Sequence, residues 1–171
     1  MRLPHRGGVL LRVVGGALVL TVALIVAGCG SSAKQQSQLI KGNGYRFSTP
    51  AGWIVTRSLT GVTATKGDEF VRVSTFPLAK TYSPALFAKV AGELKTRMTA
   101  LARQSGGKVD GTSVTTVAGI KSHVWHVATG NDLDEYTFVL RGRRELQLLC
   151  RRPSGGDDTA CTELVQSLQL H

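Results

Sequence analysis

Aromatic residues are scarce in this 171-residue chain, at 6%, and acids are few: 11 Asp+Glu stand against 21 Lys+Arg. Cysteine occurs three times and never as C-x-x-C, so the common dithiol redox motif is excluded. No G-x-S-x-G elbow exposes a nucleophilic serine. Gly42-Asn43-Gly44 supplies two glycines of G-x-G-x-x-G but not the third, and a strand pattern follows, so no phosphate loop is expected. Internal repeats are also missing. What is present, 42% apolar and 19% charged residues, is close to ordinary globular usage, which sets aside collagen-like, disordered and coiled-coil architectures.

The first 28 residues differ from the rest. Arg2, Arg6 and Arg12 make a positive start, no acid occurs, and Val13 to Gly28 is an uncharged run rich in Val, Leu and Ala. The run falls short of the about 20 apolar residues of a comfortable membrane span. No stop-transfer pattern follows, so residues 1–28 read as a cleaved secretion signal. Its end, Leu24-Ile25-Val26-Ala27-Gly28-Cys29, resembles the bacterial lipobox. That resemblance implies that the Cys29 thiol receives a diacylglycerol and becomes the first residue after cleavage; a plain signal peptide followed by a chance cysteine is the alternative. Residues 29–43 then read as the lipidated cysteine and a flexible polar tether, reaching roughly 20 Å as a random coil. Two acyl chains would hold the protein on the extracytoplasmic face of a cell membrane without spanning it.

With Cys29 so used, Cys150 and Cys161 remain as an even pair, expected to form a structural disulfide in an exported domain. The 143 residues after the signal suffice for one domain, and their 18 Lys+Arg and 11 Asp+Glu leave a net charge of +7.

Along that domain, Tyr45-Arg46-Phe47-Ser48 alternates like a strand and Thr49-Pro50-Ala51-Gly52 reads as a turn. Val62 to Thr65 and Glu69 to Phe76 read as a hairpin. Ser83 and Pro84 predict the start of a helix whose buried face is Phe87, Val90, Ala91, Leu94, Met98 and Leu101. Four strands are expected next: Val109 to Val117, Ile120 to Ala128, Leu133 to Leu140 and Glu145 to Cys150. The last two would be separated by a turn at Arg141-Gly142-Arg143-Arg144. A final helix would carry Cys161, Leu164, Val165 and Leu168 on one side. Apolar residues on both faces of the Ile120 to Ala128 strand predict a sheet covered on both sides. The element order argues an α+β fold.

The stretch Gly44-Tyr45-Arg46-Phe47-Ser48-Thr49-Pro50-Ala51-Gly52-Trp53 resembles the opening Y-x-F-x-x-P-x-G-W strand and turn of the PsbP-like superfamily. That superfamily includes the PsbP proteins of photosystem II, a Ran-binding nuclear import factor and many small bacterial lipoproteins. The chain is most similar in plan to actinobacterial LpqN-like lipoproteins. The resemblance implies a PsbP-like α/β/α sandwich over residues 44–171, an antiparallel sheet between helices. It implies a binding or assembly factor and carries over no catalytic residue.

The residues themselves offer little chemistry. His123 and His126 lie three apart on a strand, so they point to opposite faces and no metal site is expected. Asp132, Asp134 and Glu135, and Asp157 with Asp158, lie at turns, where carboxylates are expected to be solvated. Trp53 and Trp125 read as core. Arg141, Arg143 and Arg144 crowd one predicted hairpin tip, with Arg151 and Arg152 as a second patch; the first cluster is the candidate contact for anionic partners. The expectation is therefore a monomeric, non-enzymatic, membrane-tethered envelope protein that binds an envelope protein or anionic envelope polymer and no nucleic acid. It would need no cofactor beyond the lipid at Cys29. The alternative is a carrier of a small apolar or lipid ligand.

Overall fold

In the computed structural model, residues 36–171 are described; the predicted signal and Cys29 lie outside the described residues. The chain first forms a hairpin of β1 (Ser37–Gly42) and β2 (Tyr45–Pro50), turning at Asn43-Gly44, where Gly44 adopts a φ of +78° that favours glycine. Residues 37–43 therefore belong to the fold, not to a tether. Their Gln- and Ser-rich sequence looks like linker, but Ile40 is buried opposite Phe47, and Gln38 Nε2 donates to the Trp53 carbonyl at 2.9 Å.

β3 (Ile54–Arg57), β4 (Gly61–Lys66) and β5 (Glu69–Tyr82) follow as an antiparallel meander. A 3-10 turn at Pro84–Leu86 leads into helix α1 (Phe87–Gln104). Proline opens that turn as predicted, but Ser83 makes no side-chain cap, and the α-helix proper begins at Phe87. β6 (Lys108–Val117), β7 (Ile120–Thr129) and β8 (Asp132–Pro153) form a second meander, then come α2 (Thr159–Ser167) and β9 (Gln169–Leu170). Asp157 ties the start of α2, accepting from the Thr159 hydroxyl at 2.6 Å and its N–H at 2.9 Å; these hydrogen bonds hold its carboxyl below the ordinary value.

Two sheets result. The larger has the order β3-β4-β5-β8-β7-β6 and is antiparallel throughout; the smaller is β1-β2-β9. On one face of the large sheet, Leu94, Met98 and Ala102 of α1 pack on Trp125, Val127 and Phe138. On the other, α2 and the small sheet bury Phe47, Val71, Val73, Leu146, Leu148 and Leu164. Each fully buried aliphatic or aromatic side chain contributes about 1.5–3 kcal/mol, so both cores are needed to hold the layers. Trp53 lies in the α2-side core and Trp125 in the α1-side core, as expected. The Cys150–Cys161 disulfide joins β8 to α2, with Cα atoms 5.5 Å apart. Among the described residues, no helix is long and apolar enough to cross a membrane.

Candidate binding site

The predicted turn at Arg141-Gly142-Arg143-Arg144 is not a turn. Residues 132–153 form one strand, β8, which pairs with β7 through Asp132–Phe138 and with β5 through Gly142–Arg151. Side-chain direction reverses within it: Tyr136 and Phe138 face α1, whereas Leu146, Leu148 and Cys150 face the opposite core. The reversal spans Gly142, whose φ of +58° is the conformation of an irregular strand position that glycine adopts without strain. β5 is irregular at the same level. Between the pairs Pro77↔Arg144 and Tyr82↔Gly142 it advances five residues while β8 moves two, and Arg143 Nη2 donates across the gap to the Ala79 carbonyl at 3.3 Å.

The arginines thus stand on a strand kink instead of a hairpin tip, and all three are exposed. They border two clefts. One, of about 560 Å³, is lined by Arg141, Arg143 and Arg144 with Gly44, Leu146 and Leu170, and reaches His171. The Arg144 guanidinium lies against Gly44, where any Cβ would collide with it. The other, of about 460 Å³, opens between the start of α1 and the β6–β7 turn; Tyr82, Pro84, Phe87, Ile120 and Leu140 form its apolar wall, and Lys121 and Arg141 its charged rim. Lys121 Nζ sits 4.6 Å from the centre of the Phe87 ring, within cation–π range. Burial pushes the Tyr82 hydroxyl pKa above its ordinary value.

Charge balance marks this end of the molecule. No carboxylate side chain lines either cleft, and among the described residues Arg141, Arg143 and Arg144 make no ion pair. Neighbouring acids are already used. Glu145 faces α1 and pairs with Arg97 at 2.8 Å. Of the predicted second patch, Arg151 is neutralised, holding Asp134 in two hydrogen bonds of 2.6 and 2.7 Å, whereas Arg152 donates only to the Gly156 carbonyl and keeps its charge. Asp134 was expected to be solvated at a turn, yet its side chain is only 3% exposed. It is buried because β8 begins at Asp132, so position 134 already faces the sheet-covered side and takes Arg151 from the same strand's far half.

The histidines separate as their spacing predicts. His123 is buried, stacked on Phe87 with ring centres 3.8 Å apart, and its Nε2 lies 3.0 Å from the Phe87 carbonyl. His126 lies 3.6 Å from Glu135 on the neighbouring strand. Among the described residues no cluster of three or more His, Cys, Asp or Glu could hold a metal ion. Sequence reading found the arginines but missed Tyr82, Phe87, Ile120 and Lys121 beside them. No spacing motif connects these residues; they meet only because Tyr82 pairs with Gly142 and β7 pairs with β8.

An antiparallel sheet flanked by one long helix on one side and by a short helix with a small sheet on the other is the PsbP-like α/β/α sandwich. The chain is similar in structure to cyanobacterial PsbP (CyanoP) from Synechocystis sp. PCC 6803, whose solution structure superposes with a TM-score of 0.61. That match is at 14% identity over 85% of this chain and 99% of that one. A crystal structure from Bacteroides thetaiotaomicron VPI-5482 matches with a TM-score of 0.57 and 14% identity, over 80% of this chain and 49% of that chain. No family model and no curated protein matches the sequence. At these identities the likeness is one of fold.

Proposed function

We propose that the protein is a non-enzymatic binding or assembly factor of the cell envelope, of the LpqN-like lipoprotein kind. In this reading it is tethered through an acylated Cys29 and docks an anionic envelope component on Arg141, Arg143 and Arg144. The observation that supports this most is the set of three exposed, unpaired arginines on a strand kink whose two clefts contain no carboxylate side chain. A protein that needed these charges only for solubility would have no reason to gather them where two concave surfaces adjoin. Each basic side chain contributes about 1 kcal/mol at an anionic surface, so three contribute on the order of 3 kcal/mol, or roughly a hundredfold in affinity.

The test is the variant Arg141→Glu/Arg143→Glu/Arg144→Glu, compared with the native chain by crosslinking in intact cells. Capture of the partner should fall at least a hundredfold while the thermal midpoint stays within about 2 °C, because the three side chains lie outside both cores. Undiminished capture would remove the arginines from the function.

The carrier reading has its own support in the apolar wall of the 460 Å³ cleft, which falls within the roughly 300–1,000 Å³ of small-molecule sites.

A further inference from the structure

The basic cleft and the apolar cleft share two residues, Arg141 and Gly142. We infer that they are one site, and that it takes an amphiphile with an anionic phosphate or carboxylate head: the head on the arginines, the apolar body between α1 and the β6–β7 turn. This rests on the arginine-docking reading above and narrows it from any anionic envelope component to a lipid.

The chemistry of the two halves decides the class. A purely polar anionic polymer would satisfy Arg143 and Arg144 but leave the exposed Pro84 and the half-buried Phe87 and Ile120 facing water. A neutral apolar ligand would cover those three and leave Lys121 and Arg141 desolvated at the rim without a counter-charge, which is costly. Only a molecule carrying both characters uses the whole surface. The junction suits such a molecule. Gly142 has no side chain, and apart from its chain neighbours nothing lies within 4 Å of where one would be, so no further residue fills the junction at that point. Lys121, held over the Phe87 ring, adds a cation to the rim of the apolar cleft. Charge-assisted hydrogen bonds from guanidinium to phosphate or carboxylate are the strong kind, and two arginines separated by one residue can share the oxygens of one head.

Native mass spectrometry of the full chain, released from neutral detergent micelles, tests this with three probes: oleoyl lysophosphatidylglycerol, oleoyl lysophosphatidylcholine and glycerol 3-phosphate. One lysophosphatidylglycerol should bind per chain, at least tenfold more tightly than either of the others. Tyr82→Ala should weaken lysophosphatidylglycerol at least fivefold and leave glycerol 3-phosphate unchanged. Arg143→Glu/Arg144→Glu should abolish both, whereas Lys89→Glu/Arg103→Glu, which changes the net charge equally on the exposed side of α1, should abolish neither. Glycerol 3-phosphate bound as tightly as the lysolipid would overturn the joint site while sparing the arginine reading. Equal binding of the two lysolipids would overturn the anionic head. Wild-type binding of every probe by Arg143→Glu/Arg144→Glu would overturn the arginine reading itself.

Discussion

Removing the disulfide by the double substitution Cys150→Ala/Cys161→Ala should destabilise the fold by about 3 kcal/mol. The two cysteines are 11 positions apart, and closing a loop of that size in the unfolded chain costs about 3 kcal/mol in the chain-entropy model. The bond is shielded, since both residues are buried in the α2-side core. Its loss therefore acts mostly by freeing the unfolded ensemble rather than by opening the native surface. Unfolding entropy of about 2.1 cal/mol/K per residue over the described 136 residues amounts to about 0.29 kcal/mol/K, so the midpoint should drop by about 10 °C. Urea titration and calorimetry of the oxidised protein and the double variant provide the assay. The urea dependence should steepen in the variant, because an unfolded chain without the cross-link exposes more surface. Burial carries a second expectation: reductant should leave the native protein oxidised and act only as urea opens it. A loss under 1 kcal/mol with unchanged urea dependence would refute the loop-entropy reasoning. It would mean that the segment from Pro153 to Asp158 is already constrained in the unfolded chain.

Two further outcomes follow from local geometry. Ala118, in the β6–β7 turn, has a φ of +50°, a conformation that costs a side-chain-bearing residue about 1–2 kcal/mol, partly offset by glycine's extra freedom when unfolded. Ala118→Gly should therefore raise stability by roughly 0.5–1 kcal/mol, and a lower urea midpoint would contradict the strain. Arg151→Met should cost about 3 kcal/mol, because it leaves Asp134 buried without its partner, whereas adding Asp134→Asn should recover much of that loss. A double-mutant cycle measures this, and additive losses would show that the pair is not coupled.

Periodicity and turn chemistry made much of the fold legible. Leu94 and Met98 recur at helical spacing and are buried, Ala118-Gly119 and Gly130-Asn131 mark real hairpin turns, and the Tyr45 and Phe47 pair points inward as alternation requires. The failures share a cause. β1 and the middle of β8 are built from Gln, Ser, Gly and Arg, residues that read as linker or turn, yet backbone pairing needs no apolar side chain once neighbouring strands fix the register. Ala102 was missed as a core residue because a small side chain gives a weak periodic signal, although it is buried against the sheet. The arginines were legible as composition but not as a site. Tyr82 and Gly142 are 60 positions apart, and only the irregular pairing of β5 with β8 brings the two clefts to the same kink.

The continuity of β8 has a kinetic consequence. Its first half pairs with β7 through a tight turn, so β6, β7 and that half form a local meander. Its second half pairs with β5 between residues 60 to 81 positions apart, which by loop-closure entropy costs on the order of 2 kcal/mol more than closing a ten-residue loop. Local hairpins therefore precede the β5–β8 zipper, and Gly142 stands at the boundary between the early and the late half of one strand. Because the apolar cleft needs Tyr82 on one side and Ile120 on the other, it does not exist until that last pairing closes. A nascent or misfolded chain displays the arginines but offers no apolar concavity beside them, so binding at the proposed joint site would require that folding be complete.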